Sequence, residues 1–136
     1  MSKILIVDDD PDFVLAMRMA LEANGFEVEA AMTPEEGISK VLSAEPALVL
    51  LDIMMPSGNE GFKVVRSIRE EHNLKDLPII VLTNVHKSRG TPYRFAPDQD
   101  YLPVEAFLDK STDADAVVDA IQQALGERRE EPGYPL

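Results

Sequence analysis

Two apolar runs in this chain stop at acids: ILIV at residues 4–7 runs into Asp8 and Asp9, and ALVLL at residues 47–51 runs into Asp52. A third run, PIIVL at 78–82, stops at the hydroxyl of Thr83, and a short fourth, AFL at 106–108, is followed closely by Lys110. Taken singly, most of these have ordinary explanations. An acid before a proline caps a helix, a threonine at a strand end follows from β propensity, and a lone lysine is commonly solvated. Asp52 is different, because an acid ending a fully buried strand beside a second strand that ends in two acids is electrostatically unfavourable. Two like charges about 4 Å apart repel by on the order of 4 kcal/mol at an effective dielectric near ~20. A divalent cation removes that repulsion, and hard oxygen ligands with no cysteine or histidine beside them point to Mg²⁺. With a hydroxyl and an ammonium converging on the same place, the set suits phosphoryl transfer. Asp52 would be the ionised oxygen nucleophile toward phosphorus. The metal and Lys110 would offset charge on the equatorial oxygens, and Thr83 would donate a hydrogen bond to one of them.

These residues meet only if the elements carrying them are laid side by side. After the first strand, Asp10 as N-cap and Pro11 at the first helical position open a helix whose inward residues are Phe13, Met17, Ala20 and Leu21, stopped by Asn24-Gly25. Residues 26–31 form a second strand. Thr33-Pro34-Glu35-Glu36 is a capping box opening a helix through Ile38, Val41 and Leu42. Residues 47–51, apolar at every position, predict a strand covered on both faces. A loop over residues 54–61 leads to a helix with Phe62, Val65 and Ile68 inward, and then to the fourth strand. Residues 86–103 carry three prolines, Pro92, Pro97 and Pro103, and weak periodicity, which predicts an irregular insertion. After the fifth strand, Thr112 caps a last helix through Ala114, Val117, Val118, Ile121 and Leu125, and residues 127–136 form a flexible tail. Strands alternating with helices imply an α/β fold with a parallel sheet and helices on both faces. The fold expected is the flavodoxin-like, doubly wound, five-stranded sheet of order 2-1-3-4-5, whose first and third strands meet at the switch point where ligands bind.

Composition narrows the function classes. The 136 residues carry 45% hydrophobic and 28% charged residues, which is a globular balance for one domain, placed at residues 1–126. Zero cysteines exclude disulfides and thiolate metal sites. The formal charge of −12 argues against nucleic acid as a partner. No apolar run is long enough for a membrane span, and Asp8 interrupts the first one too early for a signal peptide. The expectation is a cytoplasmic protein with protein or small-molecule partners.

The stretches "ILIVDDD", "LVLLDIMMP", "PIIVLT" and "AFLDKS" together resemble the receiver domains of two-component response regulators, over residues 3 to about 125. The resemblance implies a CheY-like switch that takes a phosphoryl group onto Asp52 from a histidine kinase or histidine phosphotransfer protein. Such a switch assists its own phosphorylation and dephosphorylation rather than acting as an enzyme. It further implies Mg²⁺ held by Asp9, Asp52 and the backbone carbonyl of Met54, with Asp8 acting through water. Thr83 and Lys110 would bind the phosphoryl group, and Phe107 would turn inward when Thr83 moves. A stand-alone receiver would signal by binding an unknown downstream protein or by passing the phosphoryl group on, as a monomer or a phosphorylation-dependent dimer.

The chain departs from the family pattern in places. Ser111 follows the lysine where proline is usual, which predicts a trans Lys110–Ser111 bond. Asn84 follows Thr83 where a small residue is common, and the loop after Pro56 is one residue longer than usual. The insertion could present Tyr93, Phe95 and Tyr101 as docking anchors. Asp98 and Asp100 lack the further ligands a Ca²⁺ site needs, and neither His72 nor His86 has a role assigned. Two other functions fit parts of the chain. "DPDFV" from Asp10 matches the letters of the haloacid-dehalogenase-type phosphohydrolases, whose nucleophile would then be Asp10, although Pro11 constrains the backbone there. A degenerate receiver serving only as a binding module is the third.

Overall fold

Five short strands form the sheet, with runs of Ile, Val and Leu in the first, third and fourth: β1 (Lys3–Val7), β2 (Glu27–Ala31), β3 (Leu48–Asp52), β4 (Ile79–Thr83) and β5 (Ala106–Asp109). All neighbouring pairs are parallel, and the order is β2-β1-β3-β4-β5, as expected. The computed structural model describes residues 2–53, 60–83, 104, 106–110 and 112–126, and the backbone alone of Glu60, Thr83 and Phe107. Because every strand runs the same way, their carboxyl ends share one edge. The register Val7↔Leu51, continued by one residue, sets Asp8 level with Asp52.

Period-two alternation divides the strands' side chains between two cores. Leu5, Val7, Val49, Leu51, Ile79 and Val81 face one cluster, which Val41 of α2 (Pro34–Ala44) and Val64 and Val65 of α3 (Glu60–Arg66) complete. Ile4, Ile6, Leu48, Leu50, Ile80 and Leu82 face the other, closed by Met17 and Leu21 of α1 (Pro11–Ala23) and Val117, Val118 and Ile121 of α4 (Ala114–Leu125). A strand covered on both faces has no polar face, which is why β3 is buried at every position.

The helix ends show where local chemistry had its way. Asp10 accepts from the N–H groups of Asp12 and Phe13, as an N-cap does. At the other end of α1, Gly25 takes φ +88, and the Gly25 and Phe26 N–H groups donate to Glu22 and Leu21 carbonyls. This is a Schellman motif, and its Leu21–Phe26 pair is buried in one core. Phe26 is therefore a helix stop, and β2 begins one residue later than expected. Thr33 caps α2 through the Glu36 N–H, but Glu36 reaches back to the Met32 N–H instead of the Thr33 N–H. Leu42, expected on the inward stripe of α2, is 48% exposed, because Val41 and Gly37 face the sheet instead.

One expectation fails locally, and one helix ends in an unexpected form. Thr112 does not cap α4: its N–H closes a turn onto Asp109 O, and Asp113 is the residue whose carbonyl accepts the first helical bonds, from Ala116 and Val117. The helix expected through Ile68 does continue past α3, but as a π-helical turn, Ser67–Glu71. It buries Arg69, whose guanidinium donates to the Leu74 and Leu77 carbonyls at 2.8 and 2.6 Å and so ties the approach to β4. The insertion at 86–103, the 54–59 loop and the tail at 127–136 lie outside the described residues.

Helix α2 seats closely on β1. A Cβ at Gly37 would stand 3.0 Å from both methyl carbons of Val7, which is fully buried and stiff at χ1. Gly37→Val is expected to destabilise the domain by about 1–3 kcal/mol through overpacking. Urea unfolding measures it, and an unchanged midpoint would contradict this close approach.

Candidate functional site

The backbone delivers Asp8 to the sheet edge with little freedom. Its N–H donates to Ala31 O at 2.9 Å, which extends the β1–β2 ladder one residue past the strand. Its Oδ1 accepts from the Asp10 N–H at 2.9 Å, turning the chain toward α1. Asp52 closes β3, and the Ile53 N–H continues that ladder to Leu82 O at 3.2 Å. Asp8 is fully buried and Asp52 is 2% exposed.

One carboxylate oxygen from each of Asp8, Asp9 and Asp52 lies within 4.8 Å of the others. Lys110, just past β5, reaches over this cluster. Its Nζ stands 2.9 Å from Asp8 Oδ2, 3.2 Å from Asp8 Oδ1 and 3.4 Å from Asp52 Oδ2. Burial raises Asp8 from an ordinary carboxylate value to about 6. The Lys110 hydrogen bond and the Asp10 N–H oppose the rise, and the Asp52 charge adds to it. Burial alone would lower the Lys110 ammonium, but the hydrogen bond and charge of Asp8, with Asp52, outweigh it and raise it overall. Asp8 Oδ2 is close to Nζ yet lacks a hydrogen-bond partner of suitable angle among the described residues. A buried carboxylate oxygen left in this condition, beside two further acids, fits a hard divalent cation. Asp8, Asp9 and Asp52 are the residues present to hold it.

The structure thus brings together Asp8, Asp9, Asp52 and Lys110 from three loops and strands far apart in the chain. Thr83 ends β4 in register with Asp109, and Phe107 pairs in β5 with Val81; their side chains lie outside the described residues. Met54, Asn84 and Ser111, and with Ser111 the geometry of its bond to Lys110, also lie outside them. So do His86, Tyr93, Phe95, Asp98, Asp100 and Tyr101. His72 follows the π-helical turn, its N–H donating to Ser67 O. Asp10 is exposed and committed to its helix cap, away from the nucleophile position that the phosphohydrolase reading needs. Sequence reasoning placed Phe13 in the core stripe and missed its second contact: the Lys110 ammonium lies 4.7 Å from the centre of its ring.

Residues 4–122 match the response regulator receiver domain family. The chain belongs to that family, whose members are typically signalling switches of two-component systems that interact with histidine kinases. It is similar to the acid tolerance regulatory protein ActR of Rhizobium meliloti, 35% identical over 133 residues, which are 98% of this chain and 64% of that protein. It is also similar to protein PilH of Pseudomonas aeruginosa, 34% identical over 83 residues, or 61% of this chain and 68% of PilH. Against the transcriptional regulatory protein ResD of Bacillus subtilis the match spans only 32% of the relative's length. Among solved structures, a CheY-like receiver domain protein from Methanospirillum hungatei superposes with a TM-score of 0.76 at 25% identity, covering 93% of this chain and 95% of that one. The response regulator TrrA of Thermotoga maritima, described in complex with Mg²⁺-BeF, gives 0.74 at 30% identity, covering 91% and 99%. Among the described residues no helix is long and apolar enough to cross a membrane.

The raised Asp8 value carries a pH dependence with a definite sign. The folded chain holds the Asp8 proton more tightly than the unfolded chain does. This stabilisation is full below about pH 4 and is lost as pH rises through about 6. A shift from 3.8 to about 6 corresponds to on the order of 3 kcal/mol. In EDTA, the wild type is expected to lose stability between pH 4 and 7, whereas Asp8→Asn is expected to be flatter across that range and more stable at pH 7.5. Denaturant unfolding across pH measures both, and an Asn variant weaker than wild type at pH 7.5 would refute the desolvation account.

Proposed function

We propose that this chain is a phosphoacceptor receiver, phosphorylated on Asp52 from a phosphohistidine donor in the presence of Mg²⁺. The observation that carries this reading is the packing of Asp8, Asp9 and Asp52 oxygens within 4.8 Å, with the Lys110 ammonium 3.4 Å from Asp52. In this reading an Asp52 carboxylate oxygen attacks phosphorus. An O–P bond forms, the N–P bond to the donor imidazole breaks, and its electron pair returns to the ring nitrogen. Lys110 offsets charge on the transferring oxygens, and Thr83 donates a hydrogen bond to one of them. Asp9, Asp52 and the Met54 carbonyl would hold Mg²⁺, with Asp8 acting through water. Bound there, the ion would supply positive charge against both the carboxylates and the phosphoryl oxygens. The kinship to TrrA, described with Mg²⁺-BeF, supports that assignment.

The switch would then run through Thr83 and Phe107, and the output would be protein binding or onward phosphoryl relay. The donor would be a histidine kinase or a histidine phosphotransfer protein in the cytoplasm. Residues 1–126 would form the receiver, active as a monomer or a phosphorylation-dependent dimer, with 127–136 as a tail. ActR and ResD, named as regulatory proteins, extend beyond the stretch shared with this chain, so their own outputs are not carried over.

Intact-mass measurement after acetyl phosphate and Mg²⁺ tests the reading. The expected result is one acid-stable, base-labile phosphoryl adduct, absent in EDTA and in Asp52→Asn. Steady phosphomonoester turnover that survives Asp52→Asn but disappears in Asp10→Asn would instead establish the phosphohydrolase.

A further inference from the structure

We infer that Phe13 is a positioning residue for Lys110, an inference that rests on the phosphoacceptor reading of Asp52. The ammonium is enclosed from two directions. The Asp8 and Asp52 carboxylates hold it at 2.9 and 3.4 Å, and the Phe13 ring lies 4.7 Å from it at the centroid, within cation–π range. The side chain is only 14% exposed, so the ring stands where water would otherwise solvate the charge.

The ring owes its place to the same acidic stretch. Asp10 caps α1 by accepting from the Phe13 N–H at 3.3 Å, Asp8 accepts from the Asp10 N–H, and Pro11 opens the helix. Phe13 itself is half-buried against the core beneath α1, which limits where its ring can go. Successive hydrogen bonds therefore link the carboxylate that pairs with Lys110 to the aromatic face that supports it.

An aromatic face suits this task better than another acid. Lys110 must leave its carboxylate partners, in whole or part, to meet phosphoryl oxygens on Asp52. A further carboxylate would hold the ammonium back and repel the incoming group. The ring's quadrupole attracts the cation without net charge and without a fixed bond direction, so the ammonium can slide while staying desolvated. Phe13 thereby keeps Lys110 aimed at Asp52 in both arrangements.

The test compares wild type, Phe13→Leu and Phe13→Tyr in the full chain. Leu keeps an apolar side chain in the core contact, and Tyr restores the aromatic face. Two readouts are used: the rate of Asp52 phosphorylation by phosphoramidate at saturating Mg²⁺, followed by intact mass, and the ¹H shifts of the Lys110 Hε protons in the unphosphorylated, metal-free protein. Phe13→Leu is expected to slow phosphorylation by about 3- to 10-fold, the span of a partly desolvated cation–π contact. It is also expected to move the Hε signals downfield as the ring current is lost. Phe13→Tyr should return both to near wild type. A Leu variant as fast as wild type, a Tyr variant as slow as Leu, or Hε signals unmoved by Leu would each overturn the role. If wild type itself gains no phosphoryl group, the phosphoacceptor reading and this role fall together. Normal wild-type phosphorylation with an unaffected Leu variant removes this role alone.

Discussion

The structure turns on one electrostatic problem: three carboxylates meet at the carboxyl-end edge of a parallel sheet, two of them almost wholly out of water. Like charges so close in a weakly polar setting disfavour the fold unless positive charge gathers them. Lys110 answers part of this, with contacts of 2.9 to 3.4 Å to two of the three acids. The remaining strain shows in the raised Asp8 value and in its Oδ2, which has a cation nearby but no well-directed hydrogen bond. An arrangement of this kind fits a site that gathers a divalent cation.

The scaffold makes that arrangement rigid. Two cores clamp β1 and β3 from both sides, and backbone hydrogen bonds continue the ladders past the strands to Asp8 and Ile53. Asp8 and Asp52 therefore cannot relieve their repulsion by swinging into solvent without opening the sheet. Close seating at Gly37 and the buried Arg69 clamp act on the same scaffold from the α2–α3 side, one through contact with Val7 and the other by fixing the chain entering β4. Lys110 follows the short edge strand β5 and comes to the site from the opposite end of the sheet from β2. Its support from Phe13 matters for that reason, since an edge element has fewer neighbours to hold it.

Much of the fold was legible because its signals are local or periodic. Asp10-Pro11 and Thr33-Pro34 announce helix starts through orphan N–H groups that need acceptors, and uniformly apolar runs announce strands covered on both faces. The failures have physical causes of the same kind. Phe26 looked like strand because it is apolar, yet it is the buried partner of a helix stop. Thr112 looked like a cap because of its hydroxyl, yet the first helical N–H groups donate to the carbonyl of Asp113, one residue later. Leu42 fitted the helical period but not the narrow face that Gly37 and Val41 present to the sheet. The π-helical turn had no sequence mark at all, because what sustains it is Arg69 reaching carbonyls five and eight residues onward.

Residue types and order alone determined that acids end the first and third strands, that a lysine follows the fifth, and that no soft ligand accompanies them. Those facts depend only on composition and periodicity, and they were sufficient to point to a hard divalent cation among the acids. Tertiary structure decided that oxygens of Asp8, Asp9 and Asp52 lie within 4.8 Å of one another and that Asp8 and Asp52 are withdrawn from water there. It also decided that Lys110 pairs with Asp8 more closely than with Asp52, and that Phe13 lies against it. These are distances between segments 58 to 102 residues apart, set by sheet order and packing, and no local pattern in the chain encodes them.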